Sequence, residues 1–191
     1  THMVRGGANR SEFSETSESL FLSSGFVYNS AEQAQRAFQG EEDVFIYSRF
    51  SNPTVQMFEK RMALLENAQA CRSTATGMAA VFAALASSLK SGDRLVASKA
   101  LFGSCDYICR ELLPRFGIIT TMVDGKNLDE WEKALNTPAE AVFMETPSNP
   151  QMDIIDLEAV SEIAHKAGAR VIVDNVLATP ILQKPLELGA D

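Results

Sequence analysis

Residues 141–174, AVFMETPSNPQMDIIDLEAVSEIAHKAGARVIVD, decide the fold. Ala141–Glu145 and Arg170–Asp174 are short, continuous apolar runs closing on an acid, the pattern of strands covered on both faces. Between them, Asp156–Ala167 reads as a helix. Leu157, Val160, Ile163, Ala164 and Ala167 share one face; acids lie near its start, His165-Lys166 near its end, and Gly168 stops it. A strand, a helix and a second strand at this spacing predict two parallel strands joined by a crossover.

The same alternation extends upstream. The pattern predicts helices over Gly77–Leu89, Ser104–Leu113 and Asp129–Leu135, and strands over Arg94–Ala97 and Gly117–Val123. Repeated units of this length mean an α/β fold, a mainly parallel, doubly wound sheet flanked by helices. Before the sheet, Val55, Phe58, Met62 and Leu65 keep helical spacing after Asn52-Pro53-Thr54, a good helix start. Ser30–Phe38 is a shorter helix, with Ser30 as N-cap and Gln33 at the capping-box spacing. Residues 8–25, rich in Ser, Glu and Asn, read as an extended arm. The expected division is an arm over 1–50 and a sheet domain over 51–191. Residues 186–191 look like a helix end, a glycine stop and the start of a strand, which predicts a piece of a longer chain. Thr1-His2-Met3 reads as a cloning remnant or as native sequence.

The 191 residues are 46% hydrophobic and carry 17 Lys and Arg against 25 Asp and Glu, a net charge of −8. That apolar share suits a globular domain. The acidic balance disfavours nucleic acid and anionic membrane surfaces as partners. No apolar run reaches the roughly 18 residues of a membrane helix, and no charged-then-apolar leader opens the sequence, so the expected compartment is the cytoplasm. Cys71, Cys105 and Cys109, with His2 and His165, make neither a disulfide framework nor a zinc site. Cys105 and Cys109, four apart on one helix, read as buried small apolar residues.

Ligands of an open α/β sheet gather beyond the carboxyl ends of its strands. Glu145 and Asp174 end two of them, and each alone fits a turn cap as well as a ligand. Ser73-Thr74-Ala75-Thr76-Gly77-Met78 leads through small residues into an apolar helix. Its free N–H groups suit a phosphate, although such a start by itself is more often a simple cap. Tyr47 and Arg49 alternate on a segment read as extended, so they point one way, as a phosphate clamp or a solvent-facing pair. Phe102, in Leu101-Phe102-Gly103-Ser104, is either core or a platform for a flat ring. Pro147 and Pro150 either punctuate the turn after Glu145 or hold Asn149 over a ligand. Dinucleotide and nucleoside-triphosphate fingerprints are absent.

The order of these motifs is more specific than any one of them. Tyr-x-Arg-x-x-Asn-Pro-Thr, Thr-Gly-Met-Ala-Ala, Phe-Gly-Ser, Glu-Thr-Pro-Ser-Asn-Pro and Val-Asp-Asn-x-x-x-Thr-Pro follow one another between about residues 25 and 191. This series resembles the Cys/Met-metabolism family of pyridoxal-phosphate (PLP) enzymes of fold-type I. The resemblance implies pyridoxal 5'-phosphate as cofactor, no metal, and residues 51–191 as the cofactor-binding large domain. It implies that Gly77 and Met78, with Thr76 beside them, hold the cofactor phosphate, which Tyr47 and Arg49 reach from a neighbouring subunit. Asp174 would partner the pyridine nitrogen, Asn149 the phenolic oxygen and Phe102 the ring face, with Glu145 in the same set. Asp174 and Phe102 would be the catalytic positions in this chain. Relatives usually carry Tyr where Phe102 stands.

The lysine to which the family's cofactor is joined follows Gly-Ala-Asp in a Ser-x-Thr-Lys motif, which places it beyond Asp191, together with the C-terminal domain. Lys60, Lys90, Lys99, Lys126, Lys133, Lys166 and Lys184 match no such motif. The activity implied is γ-replacement on O-succinylhomoserine or O-acetylhomoserine with sulfide, giving homocysteine in methionine biosynthesis. The alternatives are cystathionine γ-synthase, cystathionine γ-lyase or methionine γ-lyase chemistry, or an inactive fragment of such an enzyme. The implied assembly is a homotetramer built from dimers with shared sites.

Overall fold

The computed structural model describes residues 2–191; Thr1 lies outside them. Two compact units divide the chain, one up to Ser73 and one from Thr74 onward. The expected arm boundary at residue 50 thus falls inside the first unit.

The first unit carries α1 (His2–Arg5), α2 (Ala31–Gln39) and α3 (Pro53–Glu66). Ser30 caps α2, its Oγ accepting the Gln33 N–H at 3.2 Å, while Gln33 Oε1 reaches back to the Asn29 N–H at 2.7 Å. The reciprocal bond of the capping box therefore lands one residue early. Asn52 caps α3 through the Thr54 N–H at 2.9 Å, with Pro53 in the first turn. The polar arm is stitched rather than free. Glu15 accepts from the Ser11 N–H and from the Ser11 and Ser19 hydroxyls, which hold its carboxyl down at about 2. Asn52 Nδ2 donates to Phe21 O and Ser48 Oγ, and the Phe21 N–H donates to Thr54 Oγ1.

The second unit is the expected α/β layer structure. After α4 (Gly77–Ser88), β1 (Arg94–Ser98), β2 (Ile119–Val123), β3 (Ala141–Glu145) and β4 (Arg170–Asp174) form one sheet in the order β2-β1-β3-β4, every pair parallel. The β1–β2 connection carries one unbroken helical run: α5 (Gly103–Tyr107), a π-helical turn (Ile108–Leu112) and α6 (Leu113–Arg115). This outruns the expected helix at Leu113, because the Leu113 N–H reaches back five residues to Ile108 just before Pro114, which has no N–H to give. Gly117, at φ 79°, ends the turn, so β2 begins at Ile119 rather than Gly117.

Helices then cover both faces. Val96, Val123, Val142, Met144 and Val171 pack with Trp131 of α7 (Leu128–Leu135) and with Val160 and Ala164 of α8 (Leu157–Lys166). Leu95, Ala97, Ala141 and Phe143 pack on the other side with Leu85 of α4 and with Cys105, Ile108, Cys109 and Leu113. Adjacent strand residues face opposite cores and both cores are apolar, which is why these strands show no polar alternation. A short α9 (Thr179–Leu182) and a 3₁₀ turn (Pro185–Leu188) follow β4. Among the described residues, no helix is long and apolar enough to cross a membrane.

Candidate active site

The strand order creates the site. β2 and β3 lie on opposite sides of β1, so the connections leaving β1 and β3 diverge at the carboxyl edge of the sheet, the place of the ligand crevice in open α/β sheets. Phe102 lies on the connection after β1, residues 146–150 follow β3, and Asp174 closes β4. α4 feeds β1 and so runs antiparallel to it, which turns Thr76, Gly77 and Met78 toward the same edge.

That helix start carries free donors. Thr76 Oγ1 accepts the Ala79 N–H and Thr76 O the Ala80 N–H, both at 3.1 Å. The N–H groups of Gly77 and Met78 precede the helical ladder and have no acceptor within it. Space beside Gly77 is open, with nothing within 4 Å of where a Cβ would stand. An anion fits here.

Glu145 and Asp174 are register partners across β3 and β4, and the strand alternation turns both to the face of Phe143 and Ile172. Glu145 is only 1% exposed. Its Oε2 accepts the Phe102 N–H at 2.6 Å and its Oε1 the Asn149 N–H at 3.2 Å. Burial raises its pKa above the usual carboxylate range, and the charge of Asp174 adds to this against the two N–H bonds. Asp174 is half-buried and accepts the Val176 N–H at 3.1 Å. Asn149 makes no side-chain hydrogen bond among the described residues. The Phe102 ring is 42% exposed and belongs to neither core cluster.

Asn175 and Gln183 escape a reading of the sequence as a pair. Gln183 Nε2 donates to Asn175 Oδ1 and to Thr146 O, each at 2.8 Å, and Asn175 Nδ2 returns a bond to Gln183 O at 2.9 Å. The pair ties the turn after β4 to the turn after β3, and a lone Gln behind a four-residue helix gives no sequence signal. Cys105 and Cys109 are buried, which pushes both thiols up to about 12; for Cys105 the charges of Asp174 and Glu145 add to it.

Tyr47 and Arg49 belong to the first unit, and the extended reading of their segment is corrected. Residues 48–50 form a turn, closed by the Phe50 N–H on Tyr47 O at 2.9 Å. The two side chains still meet: the Arg49 guanidinium carbon lies 5.4 Å from the Tyr47 ring centre and 4.9 Å from that of Phe50. Arg49 has no ion pair among the described residues, and its exposed guanidinium rests on two ring faces.

The profile of the Cys/Met metabolism PLP-dependent enzymes matches residues 1–191. The chain belongs to that family. Within it, this chain is 55% identical over 188 residues to an O-succinylhomoserine sulfhydrylase of Mycobacterium tuberculosis, covering 98% of this chain and 46% of that protein. It is 40% identical to an L-methionine gamma-lyase of Porphyromonas gingivalis, covering 100% of this chain and 48% of the relative. A crystal structure from Campylobacter jejuni that carries N'-pyridoxyl-lysine-5'-monophosphate superposes with a TM-score of 0.93 at 33% identity, over 100% of this chain and 47% of that one. This chain spans about half the length of the curated relatives it matches. The chemistry of these residues fits the family's cofactor: N–H donors at the start of α4 beside an open Gly77 suit a phosphate, the Asp174 carboxylate suits a protonated ring nitrogen, and Phe102 offers a partly exposed aromatic ring.

Proposed function

We propose that this chain is the cofactor-binding part of an enzyme that replaces the succinyloxy group of O-succinylhomoserine with sulfide. The C–O bond to succinate breaks, a C–S bond forms, and homocysteine results. The observation that carries this reading is the 55% identity to a sulfhydrylase across nearly the whole chain, against 40% to a methionine gamma-lyase. When bound, PLP supplies an electron sink for the charge left by a departing substrate proton. Asp174 holds the proton of the ring nitrogen, which keeps that sink effective. Gly77 and Met78 donate to the phosphate beside the Thr76 cap, Asn149 donates to the phenolic oxygen, and Phe102 covers one ring face. Glu145 supports this set from below. Tyr47 and Arg49 reach the phosphate of another copy of the chain, so the working form is a homo-oligomer, a tetramer built from two dimers with shared sites, in the cytoplasm. Residues 51–191 then belong to the large domain, and the lysine that binds the cofactor lies outside this chain.

The test is the full-length protein with O-succinylhomoserine and sulfide. Homocysteine and succinate in equal amounts support the reading, and O-acetylhomoserine in a parallel assay identifies the preferred acyl group. Ammonia and a 2-oxo acid, with no sulfide-dependent product, make it a lyase instead.

Cofactor affinity separates the two kinds of contact. Phe102→Ala removes offset stacking of roughly 0.5–1.5 kcal/mol beyond burial, so PLP binding should weaken several-fold. Arg49→Ala removes a charge-assisted phosphate contact of roughly 1.5–3 kcal/mol, on the order of ten- to a hundredfold. PLP titration of both variants checks the ranking, and a larger loss in Phe102→Ala reverses it.

A further inference from the structure

We propose that Glu145 is a positioning residue that sets the width of the crevice, its two carboxylate oxygens holding the connection after β1 and the turn after β3 at one spacing. The claim rests on reading that crevice as the cofactor pocket. The β1–β3 ladder ends at Ala97–Phe143, and the β1 connection then leaves β3 at the switch point. Beyond that point the carboxylate takes over from the ladder, with the Phe102 N–H on Oε2 at 2.6 Å and the Asn149 N–H on Oε1 at 3.2 Å. These are the backbones of the residues assigned to the ring face and to the phenolic oxygen.

A space-filling role explains Glu145 poorly. Its side chain is fully buried, no Lys or Arg pairs with it among the described residues, and the like charge of Asp174 stands beside it. A carboxylate so placed gives up hydration that two N–H groups only partly return. An apolar side chain of similar volume fills such a space at no such cost. Among side chains of this length, only a carboxylate accepts at both oxygens from two converging donors. Glu145 is therefore kept where it costs stability, and its effect passes through Phe102 and Asn149 rather than through any contact with the substrate.

The test is Glu145→Gln in the full-length protein. One amide oxygen still accepts, but the NH₂ group faces an N–H that it cannot bond. Without cofactor, hydrogen exchange at the Phe102 and Asn149 amides should rise on the order of tenfold or more, with exchange around Trp131 unchanged. PLP should bind roughly tenfold more weakly, and the visible circular dichroism of the bound cofactor should change. Glu145→Asp keeps the charge but is one methylene too short to span both donors, so it should show the same losses. Protected amides at both loops, or faster exchange with unaltered affinity and dichroism, overturn the proposal. So does failure of both variants to fold, which makes Glu145 a residue of general stability. None of these readouts uses a homoserine ester, so a failed sulfhydrylation assay leaves them standing, and the reverse holds.

Discussion

Asn in place of Asp174 should leave the full-length protein folded and its cofactor bound while removing nearly all turnover. The fold survives because Asp174 contributes locally through one Oδ1 bond to the Val176 N–H, which an amide oxygen also accepts. The negative charge does not survive. On the proposed reading, the ring nitrogen of PLP would then have no anion to retain its proton, and the electron sink would weaken. Loss of one member of a hydrogen-bonded charge pair in a desolvated site costs roughly 2–5 kcal/mol, which in a transition state is roughly thirtyfold to several thousandfold. Turnover with O-succinylhomoserine and sulfide, beside cofactor content from absorbance, measures both halves. Near-normal turnover removes Asp174 from its assigned role.

The second large effect concerns stability. Trp131 is completely buried, and its Nε1 donates to Gly125 O at 3.0 Å. It joins α7 to the turn after β2 and fills the core between the helices and Val96, Val142 and Val171. Trp131→Ala should cost roughly 3–5 kcal/mol in urea denaturation through the cavity it leaves. Trp131→Phe keeps much of the volume but strands the Gly125 carbonyl, for roughly 1–3 kcal/mol. Equal stability of the two variants means that the hydrogen bond, rather than the volume, dominates. Gly125 leaves no room for compensation. A Cβ there stands 2.5 Å from Ile155 Cδ1 and 2.6 Å from Ser98 Oγ.

Legibility in the sequence followed the range of each signal. The strands and helices after residue 77 were readable because period and caps are local: Asp156 caps α8 through the Ala159 N–H, and Gly168 takes a positive φ beyond its end. Where Pro114 interrupts the backbone ladder, the helix adjusted in a way that periodicity cannot express. Tyr47 and Arg49 lie side by side through a turn and ring contacts, where strand alternation would have placed them on one face of an extended segment. Glu145 was visible as an acid at a strand end, but its two donors come from residues 102 and 149, and such distant pairings leave no local trace. The same holds for Gln183 and Thr146.

Thr76–Met78, Phe102, residues 145–149 and Asp174 stand far apart in sequence and share an edge only after β1, β3 and β4 have paired in parallel. Parallel pairing closes long loops before it returns any contact, so this edge is completed late. A molecule that binds there binds the assembled chain and has nothing to hold in the unfolded one. Its free concentration therefore becomes a folding variable, and at a hundredfold above the dissociation constant it adds roughly 2.7 kcal/mol to stability. If that molecule is the cofactor, as proposed, its supply would raise the share of this polypeptide held in its folded form before any substrate arrives.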